Sequence, residues 1–254
     1  MAITIKSERE IELMAEAGKI LERVHNDLEK ALRPGMSTKD IDTLGEEIIR
    51  SYGCIPSFLN YNGYPASICV SVNQEVVHGI PDKHRIIQEG DIVSLDAGVI
   101  YKGYHSDAAR THAVGETSEE AKKLIQVTKE CFFEGIKFAK AGNHLFDISG
   151  AIGRYAEERG SGVVRDLCGH GIGTALHEAP EIPNYEVGRK GVRLRPGMTL
   201  AIEPMINIGT YEVDWLDDDW TVVTRDGSLS AHYENTILIT EGEPRILSLT
   251  CENE

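Results

Sequence analysis

The chain has 254 residues, 41% of them hydrophobic and 6% aromatic, which allows one large domain with a full core, or two small ones, and excludes neither on composition. With 41 acidic and 26 basic residues the formal net charge is −15, which argues against a general attraction to nucleic acid or to an anionic membrane surface. No apolar run approaches membrane-spanning length, residues 1–6 are too short and polar for a signal peptide, and the cysteines (Cys54, Cys69, Cys131, Cys168, Cys251) form no C-x-x-C pair; a reduced, cytoplasmic setting without a disulfide framework or zinc finger is expected.

Ser7 with Glu10 is a capping-box pattern, and Met14, Ala17, Leu21, Val24 and Leu28 recur behind it at helical spacing until Pro34-Gly35 stops the run. A second helix is predicted over 37–52, ending at Gly53. Residues 91–100 and 105–114 read as strands joined by Tyr101-Lys102-Gly103-Tyr104, a hairpin turn. With that turn centred on Tyr101 and Lys102, Asp96 and Asp107 stand directly opposite each other, roughly 5 Å apart. Two ionised carboxylates so placed need a shared proton or a cation between them. The cation predicts further ligands elsewhere. Helices are predicted again over 118–140 and 147–159, and apolar strand-like runs over 199–203 and 236–240.

The chain also matches itself at one offset. Gly35 pairs with Gly142, Asp40-Ile41 with Asp147-Ile148, Gly53 with Gly160, Gly90 with Gly197, and Asp96 with Glu203, each 107 positions apart. Matches in one order and one context imply an internal duplication. Two halves, approximately 1–107 and 108–254, are expected to pack about a pseudo-twofold axis as one catalytic domain, with Asp96 and Glu203 facing across the seam. The predicted class is α+β: a curved, mainly antiparallel sheet with helices on its outer face.

Four carboxylates and one histidine form the candidate metal set: Asp96, Asp107, His170, Glu203 and Glu234. His170 lies in Cys168-Gly169-His170-Gly171-Ile172-Gly173, where flanking glycines let the backbone approach a ligand and free the imidazole from neighbours. A flexible surface loop is the plain alternative, and a phosphate-cradling loop has the wrong spacing. The repeat offset applied to Asp107 points to Asp214, in an acidic run, and by itself does not choose between Asp214 and Glu234.

Taken together, Asn60-Tyr61-Asn62-Gly63-Tyr64-Pro65, His78-Gly79-Ile80-Pro81, Asp96, His105-Ser106-Asp107, the Cys168–Gly173 run, His177-Glu178, Ile202-Glu203-Pro204-Met205 and Tyr233-Glu234 resemble the methionine aminopeptidase family, type I bacterial form, over nearly the whole chain. The resemblance implies the pita-bread fold, a pseudo-twofold α/β sandwich. It also implies hydrolytic removal of N-terminal methionine from nascent proteins and peptides with a small second residue, by water activated between two divalent ions (Co, Mn, Fe or Zn). It favours Glu234 over Asp214. Asp96 is then expected at one ion, His170 and Glu203 at the other, with Asp107 and Glu234 bridging. Glu203 is the implied general base, His177 the oxyanion partner, and His78 a contact to the substrate backbone. Phe58, Tyr61, Tyr64, Cys69, Leu176 and Trp220 are the implied methionine pocket. Phe58 and Leu176 stand where other members carry a cysteine and an aromatic residue.

Expected partners are a peptide or nascent-chain N-terminus and, transiently, the ribosome, for a monomer that binds neither nucleic acid nor membrane. Three rivals remain at this level: a two-metal phosphoesterase, for which Arg110 near Asp107 is the one hint, a proline-specific peptidase of the same fold, and a binding module without activity.

Overall fold

The computed structural model describes residues 2–249; Cys251 lies outside them. Four long helices form where caps and apolar spacing predict them: α1 (Glu8–Ala31), α2 (Thr38–Ser51), α3 (Glu119–Ile136) and α4 (Leu145–Glu157). Ser7 and Glu10 cap α1 reciprocally, and Ser37 and Asp40 do the same for α2. Each closes two of the four backbone N–H groups left open at a helix start. Met14, Ala17, Leu21 and Val24 are fully buried and Leu28 nearly so. From Ala17 to Leu28 this stripe packs on Val93, Leu95 and Ala97 of the adjoining sheet. Helices α3 and α4 cover the second half through Leu124, Phe132, Ile148 and Ile152, set against Leu200, Ile202 and Ile237.

Among the described residues the strands form four hydrogen-bonded sheets, and every pairing is antiparallel. In one, Ile92–Tyr101 pairs with Ile68–Val72 and Ile55–Pro56 along one edge and with Tyr104–Ala113 along the other. In the largest, the order is Arg245–Ile246, Asn235–Leu238, Thr199–Ile202, Gly169–Gly171, Glu178–Ile182. These two meet where Ala109 and Glu234 exchange backbone hydrogen bonds of 3.4 and 3.0 Å. Thr236 Oγ1 strengthens that seam, accepting from Asp107 N–H at 2.9 Å and donating to Asp107 C=O at 3.0 Å.

The hairpin departs from expectation. Tyr101 pairs with Tyr104, so the turn centres on Lys102-Gly103, with φ of 50° and 87°. A two-residue turn of this hand needs positive φ at both centres, and Gly103 provides one without strain. The register therefore moves by two. Asp96 pairs with Ala109, and Asp107 with Gly98. The two aspartates are diagonal neighbours on one face of the sheet rather than directly opposed.

Positions 107 apart share backbone features beyond the residues that suggested the offset. Ser37 bridges Ile86 as His144 bridges Arg193. Gly35 N–H reaches Ile87 C=O at 2.9 Å, and Gly142 N–H reaches Leu194 C=O at 3.0 Å. The Asp40 carboxylate accepts from Ser37 N–H at 2.8 Å, and Asp147 accepts from His144 N–H at the same distance.

Candidate metal centre and peptide cavity

One cavity of about 290 Å³ is lined by all five candidate ligands and by all eight residues expected at the substrate. Its floor is acidic. Asp96 comes from the strand Ile92–Tyr101, Asp107 from its hairpin partner, His170 from the strand Gly169–Gly171, and Glu203 and Glu234 from the ends of two neighbouring strands. Asp107, His170 and Glu234 each offer a donor atom within 4.8 Å of the others. His170 Nε2 lies 3.8 Å from Asp107 Oδ2 and 3.6 Å from Glu203 Oε1. Asp214 is elsewhere, half exposed and paired with Arg225 at 3.0 Å.

His170 sits in a buried strand, not a surface loop, and its glycines serve close packing. A side chain at Gly169 would meet Ala201 C=O at 2.4 Å, and one at Gly171 would meet Ala179 C=O at 2.2 Å. The imidazole Nδ1 lies 2.8 Å from Gly171 C=O. A carbonyl only accepts, so Nδ1 carries the proton and the Nε2 lone pair faces the carboxylates. Burial, reinforced by His177, pushes His170 down to about 3, so the ring is neutral. A neutral ring 3.6–3.8 Å from two carboxylates is neither an ion pair nor a hydrogen bond.

Four acids packed this closely resist ionising together. Burial pushes Asp107 up to about 8. Burial and then the Asp107 charge hold Asp96, Glu203 and Glu234 well above the usual carboxylate range. Asp96 Oδ1, Asp107 Oδ1 and Glu234 Oε1 are buried without a hydrogen-bond partner. Unpaired buried carboxylate oxygens are costly unless a cation meets them, so the donor set fits divalent metal.

The other wall is apolar. Phe58, Tyr64, Cys69 and Leu176 are buried in one cluster, with Tyr61 and Trp220 packed against it. Trp220 stands edge-on to Tyr64 (5.1 Å) and to His78 (6.2 Å). His78 has φ of 59°, an uncommon backbone state for a non-glycine residue, and burial pushes its ring down to about 4. His177 Nδ1 lies 2.7 Å from the Tyr61 hydroxyl. Burial raises Tyr61 above the ordinary phenol value, so the hydroxyl keeps its proton and can donate to Nδ1. That leaves Nε2–H as the donor of His177.

The lining includes Asn62, Val77, Asp166, Leu167, Cys168 and Met205, which were not among the expected site residues, and contains no lysine or arginine. Arg110 points away from it, hydrogen-bonded to Glu234 C=O and to Asn235 Oδ1 (2.6 Å) over the Tyr233 ring. A phosphate substrate would find no cation side chain here. His232 was also missed. Its Nε2 stands 3.8 Å from Glu203 Oε2 and 3.9 Å from Glu234 Oε2. Its only local signal is its place two residues before Glu234, since His232 ends one strand and Glu234 lies in the connection to the next.

Among the described residues Cys54, Cys69, Cys131 and Cys168 are all free, and no helix is long and apolar enough to cross a membrane.

Residues 12–241 match the model of metallopeptidase family M24. The chain is 58% identical over 250 residues to methionine aminopeptidase of Clostridium acetobutylicum, covering 98% of this chain and all of the relative. The crystal structure of methionine aminopeptidase from Thermotoga maritima superposes with a TM-score of 0.96 at 47% identity, over 98% of this chain and all of that one. Xaa-Pro dipeptidase from Bacillus anthracis shares the fold at a TM-score of 0.78 and 27% identity, but this chain covers only 62% of it. The architecture is the pita-bread fold, and the chain belongs to metallopeptidase family M24.

Proposed function

We propose that this protein is a metal-dependent methionine aminopeptidase, a single catalytic domain of two related halves that uses two divalent ions and prefers peptides with a small second residue. The observation that carries the reading is the convergence of five metal-type donors and an apolar, partly aromatic pocket on one cavity. Whole-length identity to a methionine aminopeptidase supports it. The donor set, one imidazole with four carboxylates, suits Mn, Fe, Co or Zn.

Asp96 would hold one ion, His170 and Glu203 the other, with Asp107 and Glu234 shared. Two divalent ions held there would supply an activated water at neutral pH and polarisation of the scissile carbonyl. Four carboxylates offset the charge of such a pair. Glu203 takes the proton of the attacking water and returns it to the departing amine. His177 donates from Nε2 to the oxyanion. His78, neutral and held against Trp220, hydrogen-bonds the substrate backbone. Phe58, Tyr61, Tyr64, Cys69, Leu176 and Trp220 enclose the methionine thioether, a soft group suited to aromatic contact. Chains meeting this enzyme would be nascent, near the ribosome, in the cytoplasm, and the enzyme itself a monomer.

A peptide panel varying only the second residue tests the specificity. Met-Gly and Met-Ala peptides are expected to turn over, and Met-Arg to be refused by clash at the cavity mouth. Equal kcat/KM for glycine and arginine would contradict the reading.

Metal binding and proton binding compete at the same oxygens. Unfolded, these carboxylates release their protons near pH 4; folded and ion-free, Asp107 keeps its proton to about 8. The folded form therefore binds more protons across that window, and ion-free stability falls as pH rises through it. Ions remove the penalty, so their stabilisation grows with pH. At free metal near 100 Kd the gain is about 2.7 kcal/mol, which is roughly 5–10 °C in Tm for a chain of this size. Scanning calorimetry with and without manganese at pH 5.5 and pH 8 checks it. A metal-induced shift as large at pH 5.5 as at pH 8 would contradict the carboxylate account.

A further inference from the structure

His232 closes the strand Ser230–His232 beside the metal centre. Its side chain is 2% exposed, and neither ring nitrogen has a hydrogen-bond partner. The backbone beneath it is held on both sides. His232 N–H donates to Thr111 Oγ1 at 2.8 Å, the Thr111 hydroxyl donates to His232 C=O at 2.9 Å, and Ser94 Oγ meets the same hydroxyl at 2.8 Å. Across the strand pair, His232 sits opposite Met205. The ring is thus fixed against Glu203 Oε2 (3.8 Å) and Glu234 Oε2 (3.9 Å). Glu203 stands between two imidazoles, with His170 Nε2 3.6 Å from its other oxygen.

A buried ring with both nitrogens unmet gives up its hydration without compensation. Such a group persists where its surroundings over-determine it, commonly at a functional site. Resting on the metal reading above, we propose that His232 is a positioning residue of the metal centre, its Nε2–H serving the Glu203 and Glu234 carboxylates through one bridging water, the distances of 3.8 and 3.9 Å being too long for a direct hydrogen bond. Held there, the carboxylates keep their remaining lone pairs directed at the ions. Direct ligation by His232 fits less well. It would require the Nε2 lone pair and place the proton on Nδ1, a buried donor with no acceptor. His170, by contrast, has Gly171 C=O for its Nδ1 proton. In the donor tautomer only a lone pair stays unmet, which is the cheaper omission.

Calorimetric titration of manganese into the metal-free full chain tests this with His232→Leu, His232→Gln and His232→Asn. The Gln amide can present N–H at the reach of Nε2, whereas the Asn amide is one carbon too short. Leu and Asn are expected to weaken metal binding about 10–100-fold, the usual effect of losing a partner of a metal-binding side chain, with Gln close to wild type. Circular dichroism confirms folding, and Asn keeps the test open if the apolar Leu variant fails to fold. Wild-type affinity in the Leu and Asn variants would overturn the proposal. So would a Gln variant as weak as Leu, because an N–H donor at the reach of Nε2 would then not be what the centre needs. If the wild-type chain itself takes up no ion, it is the metal reading that fails, and the variants are not needed to show it.

Discussion

Glu203→Gln is expected to lower kcat on a Met-Ala peptide by about 10²–10⁴-fold, the range for a positioned general acid–base group. Glutamine keeps an oxygen for a cation but cannot take a proton. Glu203 lies between His170 and His232 at the acidic floor of the cavity, and burial holds its carboxyl well above the usual range. With ions displacing that proton the carboxylate is ionised, and it can then accept one from the attacking water. Glu203 is also a proposed ligand, so the variant should bind metal more weakly. The two roles separate with excess manganese: metal content measured by elemental analysis returns, while turnover stays low. If saturating metal restores turnover to wild type, Glu203 is a ligand and not the base.

His177→Ala is expected to cost about 10²–10³-fold in kcat, the loss seen when one oxyanion donor is removed, with metal content unchanged. The geometry separates this residue from the ligands. Its Nδ1 engages Tyr61 at 2.7 Å, and its ring packs edge-on to His170 with centroids 4.2 Å apart. A binding-only role would raise KM and spare kcat. Tyr61→Phe removes the hydroxyl that sets the tautomer and should show a smaller loss of the same kind. Turnover near wild type in His177→Ala, with intact metal, would remove this residue from the mechanism.

How much of this was legible before the coordinates depends on the physics of each element. Helix starts were readable because Ser7/Glu10 and Ser37/Asp40 are local, self-contained caps. The acidic face of the hairpin was readable too, because side-chain alternation survives a register error of two: Asp96 and Asp107 stay on one face although Ala109 and Gly98 are their true partners. The register differs from the sequence expectation because the turn takes positive φ at Lys102 and Gly103, which moves its centre one residue along the chain. The glycines around His170 answer to close packing against Ala201 and Ala179 on neighbouring strands rather than to freedom of the imidazole. Such tertiary contacts leave no local trace.

Between Glu234 and Asp214 the repeat was silent, because Glu234 gains its place from the Ala109 seam between two sheets. His232 ends the strand before Glu234, and its approach to Glu203 and Glu234 is a tertiary contact that the local sequence does not mark. The constant offset was the most informative pattern. It reappears in paired bridges at Ser37 and His144, and we propose that it reflects an ancestral doubling that brought Asp96 and Glu203 to one cavity.

Five side chains are proposed to gather two divalent ions. Anomalous diffraction at the manganese edge, from crystals grown with manganese, tests it most directly. Two peaks roughly 3.5–4 Å apart are predicted, with oxygens of Asp107 and Glu234 near both, Asp96 at one, and His170 and Glu203 at the other. No peak in this cavity, or a single ion elsewhere with these side chains left free, would contradict the account.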